Sequence, residues 1–146
     1  MKVILKIFIF SCIFILLPVS ISAEDEEDLK MTENLLRGNF IEAPFTALVK
    51  YKKIKIVSQL GGYISLEYNC EVKEVYKGEN IKNISFLRTV DADLAEKVIL
   101  RSTGKSAIVS LFYENDDNVF YMGDNGYEIP SEPHYIQIAQ ELKKSK

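Results

Sequence analysis

The chain of 146 residues has the size of one domain and leaves little room for two. Its 18 basic and 21 acidic side chains give a formal net charge of −3. That balance argues against nucleic acid as a partner, because phosphate binding draws on a basic patch or a high isoelectric point.

The first segment has the three parts of a secretory signal peptide. Lys2 and Lys6 supply a positive n-region, the uncharged run from Ile7 to Leu17 an apolar h-region, and Ile21-Ser22-Ala23 a small residue at the cleavage position. Cleavage is expected after Ala23. A membrane span needs about 20 apolar residues, and the run here is shorter and is followed by the helix-disfavouring Pro18. A lipoprotein would need a cysteine at the cleavage point, whereas Cys12 lies inside the apolar run. The expectation is a secreted or periplasmic domain without membrane attachment once cleaved. Losing 23 of 146 residues, Lys2 and Lys6 among them, leaves 123 residues with 16 basic against 21 acidic side chains, a formal net charge of −5. Cys70 is then the remaining thiol, so no intramolecular disulfide forms and the core must hold the domain.

Three regions result: the signal peptide 1–23, an acidic then amphipathic segment 24–39, and a single β-barrel domain with a C-terminal helix over 40–146. In the second, Leu29, Met31, Leu35 and Leu36 among polar residues predict a short helix or loose tail, with Gly38 as its stop. From Pro44 the period becomes two. Phe45, Ala47, Val49 and Tyr51 share a face, then the apolar positions move to Ile54 and Ile56, which places a bulge near Lys52-Lys53. Gln59-Leu60-Gly61-Gly62 makes a tight hairpin turn. The returning strand alternates through Ile64, Leu66, Tyr68, Cys70 and Val72, then slips to Val75.

After the turn Lys77-Gly78-Glu79-Asn80, a third strand is expected through Ile81, Ile84, Phe86 and Leu87, and a helical or irregular crossing over Asp91–Lys97 leading into Val98, Ile99 and Leu100. Lys105–Tyr113 reads as a strand buried on both faces, and Val119–Met122 as a short strand between turns. Tyr135, Ile136, Ile138, Ala139 and Leu142 after Pro133 predict a helix docked by one face, with Lys143, Lys144 and Lys146 at its negative end. Long coiled strands favour closure, so the expected fold is mainly β: a small five-stranded OB-like closed barrel with a C-terminal helix and a short N-terminal helix or tail.

In Val72-Lys73-Glu74-Val75-Tyr76-Lys77-Gly78, Ile108-Val109-Ser110-Leu111-Phe112 and Gly123-Asp124-Asn125-Gly126-Tyr127-Glu128-Ile129-Pro130, over roughly Phe40 to Pro130, the chain resembles secreted OB-fold domains of the netrin-module and metalloproteinase-inhibitor type. In the inhibitor branch a cysteine at the mature N-terminus presents its amine and carbonyl to the protease zinc, and disulfides hold the ridge. Here the expected mature start is Glu24 and no disulfide forms, so the resemblance does not imply inhibition by that route.

No catalytic, cofactor or metal residues are assigned. Cys70 sits on its strand's apolar face, where cysteine behaves as a small hydrophobe. His134 is the sole histidine and is expected to be exposed or capping. The acidic loop Glu114–Asn118 with Asp124 and Asn125 lacks EF-hand spacing, and Asx-rich turns explain it without an ion. Lys50, Lys52, Lys53 and Lys55 read as a strand edge blunted by lysines. Gly61 and Gly62 are turn glycines rather than a phosphate loop. Asn83-Ile84-Ser85 matches a glycosylation acceptor, and the tyrosines 51, 63, 68, 76, 113, 121, 127 and 135 divide between core and a binding face.

The leading expectation is therefore an exported, non-enzymatic binding or protein-interaction module whose partner is an unidentified protein or small ligand. Two alternatives stand beside it. A secreted inhibitor or modulator of another protein would show an exposed apolar ridge on the N-terminal segment. A hydrolase using Glu67, Glu71 or Asp91 would show paired carboxylates with raised pKa values.

Overall fold

The computed structural model describes residues 23–114 and 119–145. The expected signal peptide thus lies outside the described residues except for Ala23, as do residues 115–118 of the acidic loop. The elements are α1 Ala23–Glu42, β1 Phe45–Leu60, β2 Tyr63–Lys77, β3 Asn83–Asp91, α2 Ala95–Ser102, β4 Ser106–Glu114, β5 Val119–Tyr121, a 3-10 turn Asn125–Tyr127, β6 Glu128–Pro130 and α3 Pro133–Lys144.

The protein is mainly β, with a six-stranded sheet in the order β1-β2-β3-β5-β4-β6 and a C-terminal helix. Six strands replace the expected five. The additional strand, β6, has three residues and ends in Pro130, too short for alternation to show and closed by a residue that cannot donate to a ladder. The sheet also returns to its start. Phe45–Lys50 of β1 pairs antiparallel with Ser106–Leu111 of β4, while the other edge of β1 carries β2 from Thr46 to Leu60. With β3 and β5 joined in parallel, the pairings run round a ring, β1-β2-β3-β5-β4-β1. β6 follows β5 along the opposite edge of β4, opposite Ala107–Val109.

The bend that lets one strand serve two neighbours comes from four extra residues in the β1–β2 ladder. Lys52 and Val57 are extra on β1, and Lys73 and Tyr76 on β2, so each strand kinks and twists more strongly where they sit. The slip expected at Lys52-Lys53 and the one between Val72 and Val75 are two of these. Beyond Lys50, β1 leaves β4 and continues as the edge strand beside β2, whose other side pairs with β3 up to Tyr63, and the chain is exposed without interruption from Lys55 to Tyr63. Ile56, expected on the apolar face, is therefore 50 % exposed: its strand has run past the layer that would cover it. The β1–β2 hairpin turns at Gly61, where φ is +59°, a conformation glycine adopts without a Cβ penalty. β3 starts at Asn83 rather than Ile81, and Val98–Leu100 belong to α2.

Two clusters divide the core. Inside the ring lie Phe45, Ala47, Val49, Tyr51, Leu66, Tyr68, Cys70, Phe86, Val109 and Leu111. There the Tyr68 and Phe86 rings stack at 4.8 Å, with Tyr51 edge-on to Tyr68 at 5.1 Å. Outside it, Ile108, Ile129 and Tyr76 meet Leu36 and Phe40 of α1 and Tyr135, Ile138 and Ala139 of α3. β4 alternates between the clusters, Ala107, Val109 and Leu111 inward and Ile108 outward, which is why its sequence is apolar on both faces. On its outer side Ser110 shares a buried 3.1 Å hydrogen bond with Thr46.

The N-terminal helix does not stop at Gly38. It runs on to Glu42, because Leu36, Asn39, Phe40 and Ala43 bury one face, and a buried Leu or Phe contributes about 1.5–3 kcal/mol, more than a helical glycine costs. Pro44 then ends it. Lys77 donates from Nζ to the carbonyls of Phe40 (2.7 Å) and Ile41 (3.0 Å), tying the helix end to β2.

Two glycines give opposite expectations. A Cβ at Gly38 meets nothing within 4 Å, so Gly38→Ala should stabilise the protein by about 0.5–1 kcal/mol. At Gly78, φ is +101° and a Cβ would stand 2.8 Å from Phe45 Cδ2 and 3.1 Å from the Pro44 carbonyl, so Gly78→Ala should cost about 1–3 kcal/mol. Urea unfolding of both variants checks the pair. A destabilised Gly38→Ala would mean that the helix needs its glycine.

Candidate functional site

A concavity of about 680 Å³ lies between α1 and the 3-10 turn. Leu36 and Phe40 fix the rotation of α1 by turning inward, which leaves Met31, Leu35 and Gly38 on a neighbouring face. The opposite wall is held in place by hydrogen bonds. Asn39, itself buried, donates from Nδ2 to the Gly126 carbonyl at 2.7 Å. The Tyr127 hydroxyl donates to Glu42 at 3.1 Å, and the backbone N–H of Gly126 donates to Asp124 Oδ1 at 2.7 Å, capping the turn. Gly126 admits no larger residue freely, since a Cβ would lie 3.0 Å from that same Asp124 oxygen. The result is a preformed groove floored by Met31, Leu35 and Tyr127, open over Gly38, and rimmed by Glu27, Glu42 and Asp124 with Lys30 as its cation. Met31 is 59 % and Leu35 42 % exposed, large values for apolar side chains in a concave wall.

A second cleft, about 460 Å³, opens at one end of the ring between β1, β3, β4 and β6. Its wall is a polar latch. Arg88 on β3 donates from Nη1 to Glu128 on β6 and, at 3.4 Å, to the Tyr68 hydroxyl, and from Nη2 to Asn125 in the 3-10 turn. The guanidinium and the carboxylate are both largely out of water. Arg88 Nε and the Tyr51 hydroxyl are buried and make no hydrogen bond among the described residues. Burial first, and then the nearby Glu128 carboxylate, hold the Tyr51 phenol far above its ordinary pKa. This pair joins the 3-10 turn and β6 to the inner strands, and thereby positions the far wall of the α1 groove.

The residues singled out in the sequence fall as follows. Cys70 is buried inside the ring, its thiol pushed up to about 12 by burial and then by Glu128. His134 is exposed at the start of α3, 3.8 Å from Glu33. Glu67 and Glu71 lie on β2 facing lysines of β1 and β2: Lys55 is 2.6 Å from Glu67, and Lys73 and Lys52 are 2.6 and 3.7 Å from Glu71. Both carboxyls are held below the usual range, chiefly by the hydrogen bonds from Lys55 and Lys73. Asp91 is exposed at the end of β3, so the three acids are not gathered into one cleft. Asp124 and Asn125 spend their side-chain oxygens on Gly126 and Arg88. Among the described residues no group of three or more His, Cys, Asp or Glu could hold a metal ion, and no helix is long and apolar enough to cross a membrane. Asn83 is exposed. Tyr51, Tyr68, Tyr76 and Tyr135 are core, whereas Tyr63, Tyr113 and Tyr121 are exposed and Tyr127 is in the groove.

Sequence reasoning missed Arg88, Glu128 and Asn39. Nothing in their local pattern distinguishes them from surface polar residues; a signal exists only in Arg88 occupying a strand position that the third strand's inward alternation leaves ambiguous. No protein-family model matches the chain, and no curated protein matches it.

The two unlike polar groups of the cleft should respond oppositely to removal. Arg88→Ala strands the Glu128 carboxylate and should cost about 2–4 kcal/mol, whereas Tyr51→Phe deletes a hydroxyl that makes no hydrogen bond among the described residues and should be neutral or stabilising by up to about 1 kcal/mol, both measured by denaturant unfolding. A pH series adds a further check. Burial raises the pKa of Cys70 and of Tyr51 and Tyr68, so above the ordinary thiol pKa the unfolded chain holds fewer protons than the folded one. Stability should therefore be flat with respect to these groups below pH about 8 and fall as pH rises beyond about 9. Cys70→Ala should shift the onset of the fall to higher pH.

Proposed function

We propose that the chain is an exported, non-enzymatic protein-interaction module on an OB-like barrel, with the groove between α1 and the 3-10 turn as its binding surface. The ring order β1-β2-β3-β5-β4-β1, with its parallel β3–β5 contact and α2 between β3 and β4, supports the OB-like reading, with β6 an addition to it. The observation that carries the binding reading is the groove itself: apolar floor, acidic rim and a far wall stitched by Asn39, Glu42 and Asp124, so that little ordering is needed when a partner arrives. Met31 and Leu35 lie on the N-terminal segment, where a secreted modulator of another protein would carry its apolar ridge, but here they floor a groove. The lowered pKa values of Glu67 and Glu71 give the hydrolase alternative no support.

The test is mass spectrometry of the protein recovered from the exported fraction, wild type beside Leu35→Glu. The expected result is an N-terminus at Glu24, an unmodified Cys70 thiol, and a co-recovered protein that Leu35→Glu loses at unchanged stability. An intact Met1 in the membrane fraction would sink export. A co-recovered molecule indifferent to Leu35→Glu would move the binding surface away from the groove.

A further inference from the structure

Two residues that line the cleft at the end of the ring carry donors without acceptors. Tyr51 is 1 % exposed, yet its hydroxyl makes no hydrogen bond among the described residues, and neither does Nε of Arg88. Other polar groups of the same wall are engaged: Arg88 gives Nη1 to Glu128 and Nη2 to Asn125, and Ser131 donates to the Ser106 carbonyl. Both orphaned atoms are permanent donors. A guanidinium stays protonated, and burial keeps the phenol so. Buried donors left unmade are costly and few in native proteins, so two on one cleft call for an oxygen from outside the chain. Four charges line the cleft, Arg88 and Lys105 against Glu128 and Glu132, and they balance. A net anion would meet the Glu128 carboxylate, which already opposes ionisation of the Tyr51 phenol, and a net cation would meet Arg88. A hydroxyl avoids both, because its oxygen accepts from Tyr51 or Arg88 while its hydrogen goes to Glu128. The volume of about 460 Å³ admits one small ring bearing such groups.

We propose that the cleft between β1, β3, β4 and β6 binds a small neutral polyhydroxy compound, a sugar ring or cyclic polyol, with its hydroxyls on Tyr51, Arg88 and Glu128. The two donors lie beneath the cleft's surface, so the ligand reaches them by turning Glu128 aside. Glu128 is the more exposed member of the latch, 24 % against 11 % for Arg88. Affinity is accordingly low, with a Kd on the order of 1–10 mM, the range that ordinary ligand efficiency gives a molecule of about twelve non-hydrogen atoms. The site shares no lining residue with the α1 groove and does not depend on the groove being a binding surface.

Nuclear magnetic resonance of the nitrogen-15-labelled protein tests this through the Arg88 Nε–H signal, during titration with glucose and with myo-inositol to about 100 mM, well above the stated Kd. At least one of the two should shift that signal saturably while the Nε–H signal of Arg37, on α1, stays in place. Glucuronate and the ammonium form of glucosamine, of similar size but charged, should not. Tyr51→Phe, which keeps the ring and its packing, should weaken the binding about tenfold. If neither neutral compound gives a saturable shift, water alone serves the two donors and the proposal falls. It falls also if Tyr51→Phe binds as tightly as wild type, since the hydroxyl is then no part of the site. Equal or tighter binding of glucuronate or glucosamine overturns it as well, because the cleft then selects charge rather than hydroxyls. The charged comparators decide this without reliance on the variant.

Discussion

A single strand has to satisfy two neighbours, and the architecture depends on how β1 does so. Phe45–Lys50 pair on one side with β4, and from Thr46 onward the strand pairs on its other side with β2. A flat strand cannot offer both edges to a sheet that curls back on itself. The extra residues Lys52 and Val57 on β1, and Lys73 and Tyr76 on β2, supply the local twist that closure requires. Closing the ring brings the aromatic side chains Tyr51, Tyr68 and Phe86 together and puts Cys70 out of reach of solvent, so the thiol's burial follows from the same bend.

Closure also dictates where the helices go. Once β4 turns Val109 and Leu111 inward, Ile108 is left pointing out beside Ile129 and Tyr76, and apolar side chains so placed need a cover. α1 and α3 provide it. The position of α1 is then set by its buried side, and the exposed positions of Met31, Leu35 and Ile41 are what remains of its large apolar residues after that demand is met. The groove is thus a by-product of core packing, made rigid by Asn39 and by the Arg88–Glu128 latch that holds the 3-10 turn against the strands.

Much of the strand framework was legible because it is written in local pattern. The slips near Lys52 and after Val72, the glycine turn, the two-faced β4 run, the burial of Cys70 and the docked C-terminal helix all leave marks within a few residues. Failures arose where distant packing overruled local preference. Gly38 looks like a stop, yet Phe40 has a pocket waiting against Tyr76 and α3, and burial there outweighs glycine's cost. Ile56 continues a correct alternation past the point where anything covers it, which no periodicity can report. β6 is too short to have a period. The groove was half legible: Met31 and Leu35 could be placed on an amphipathic helix, but not its face, because the wall opposite them comes from Gly126 and Tyr127, far along the chain. Arg88 and Glu128, 40 residues apart, form a pair only in three dimensions.

The pairing of β1 with β4 has a consequence in time. Phe45 meets Leu111, so the ring cannot close until the chain is made well past its midpoint. The hairpin of β1 and β2 is local, joined by a two-residue turn, and can form in microseconds once Lys77 is available. Synthesis at about 5–20 residues per second then leaves the hairpin waiting for seconds before β4 exists. Through that interval the inward side of the hairpin, with Val49, Tyr51, Leu66 and Tyr68, has no partner, and the first edge of β1 has no neighbour. The chain's greatest exposure to wrong pairing therefore falls early, before its last strands have been made, and the lysines along β1 lie on the strand that must wait longest.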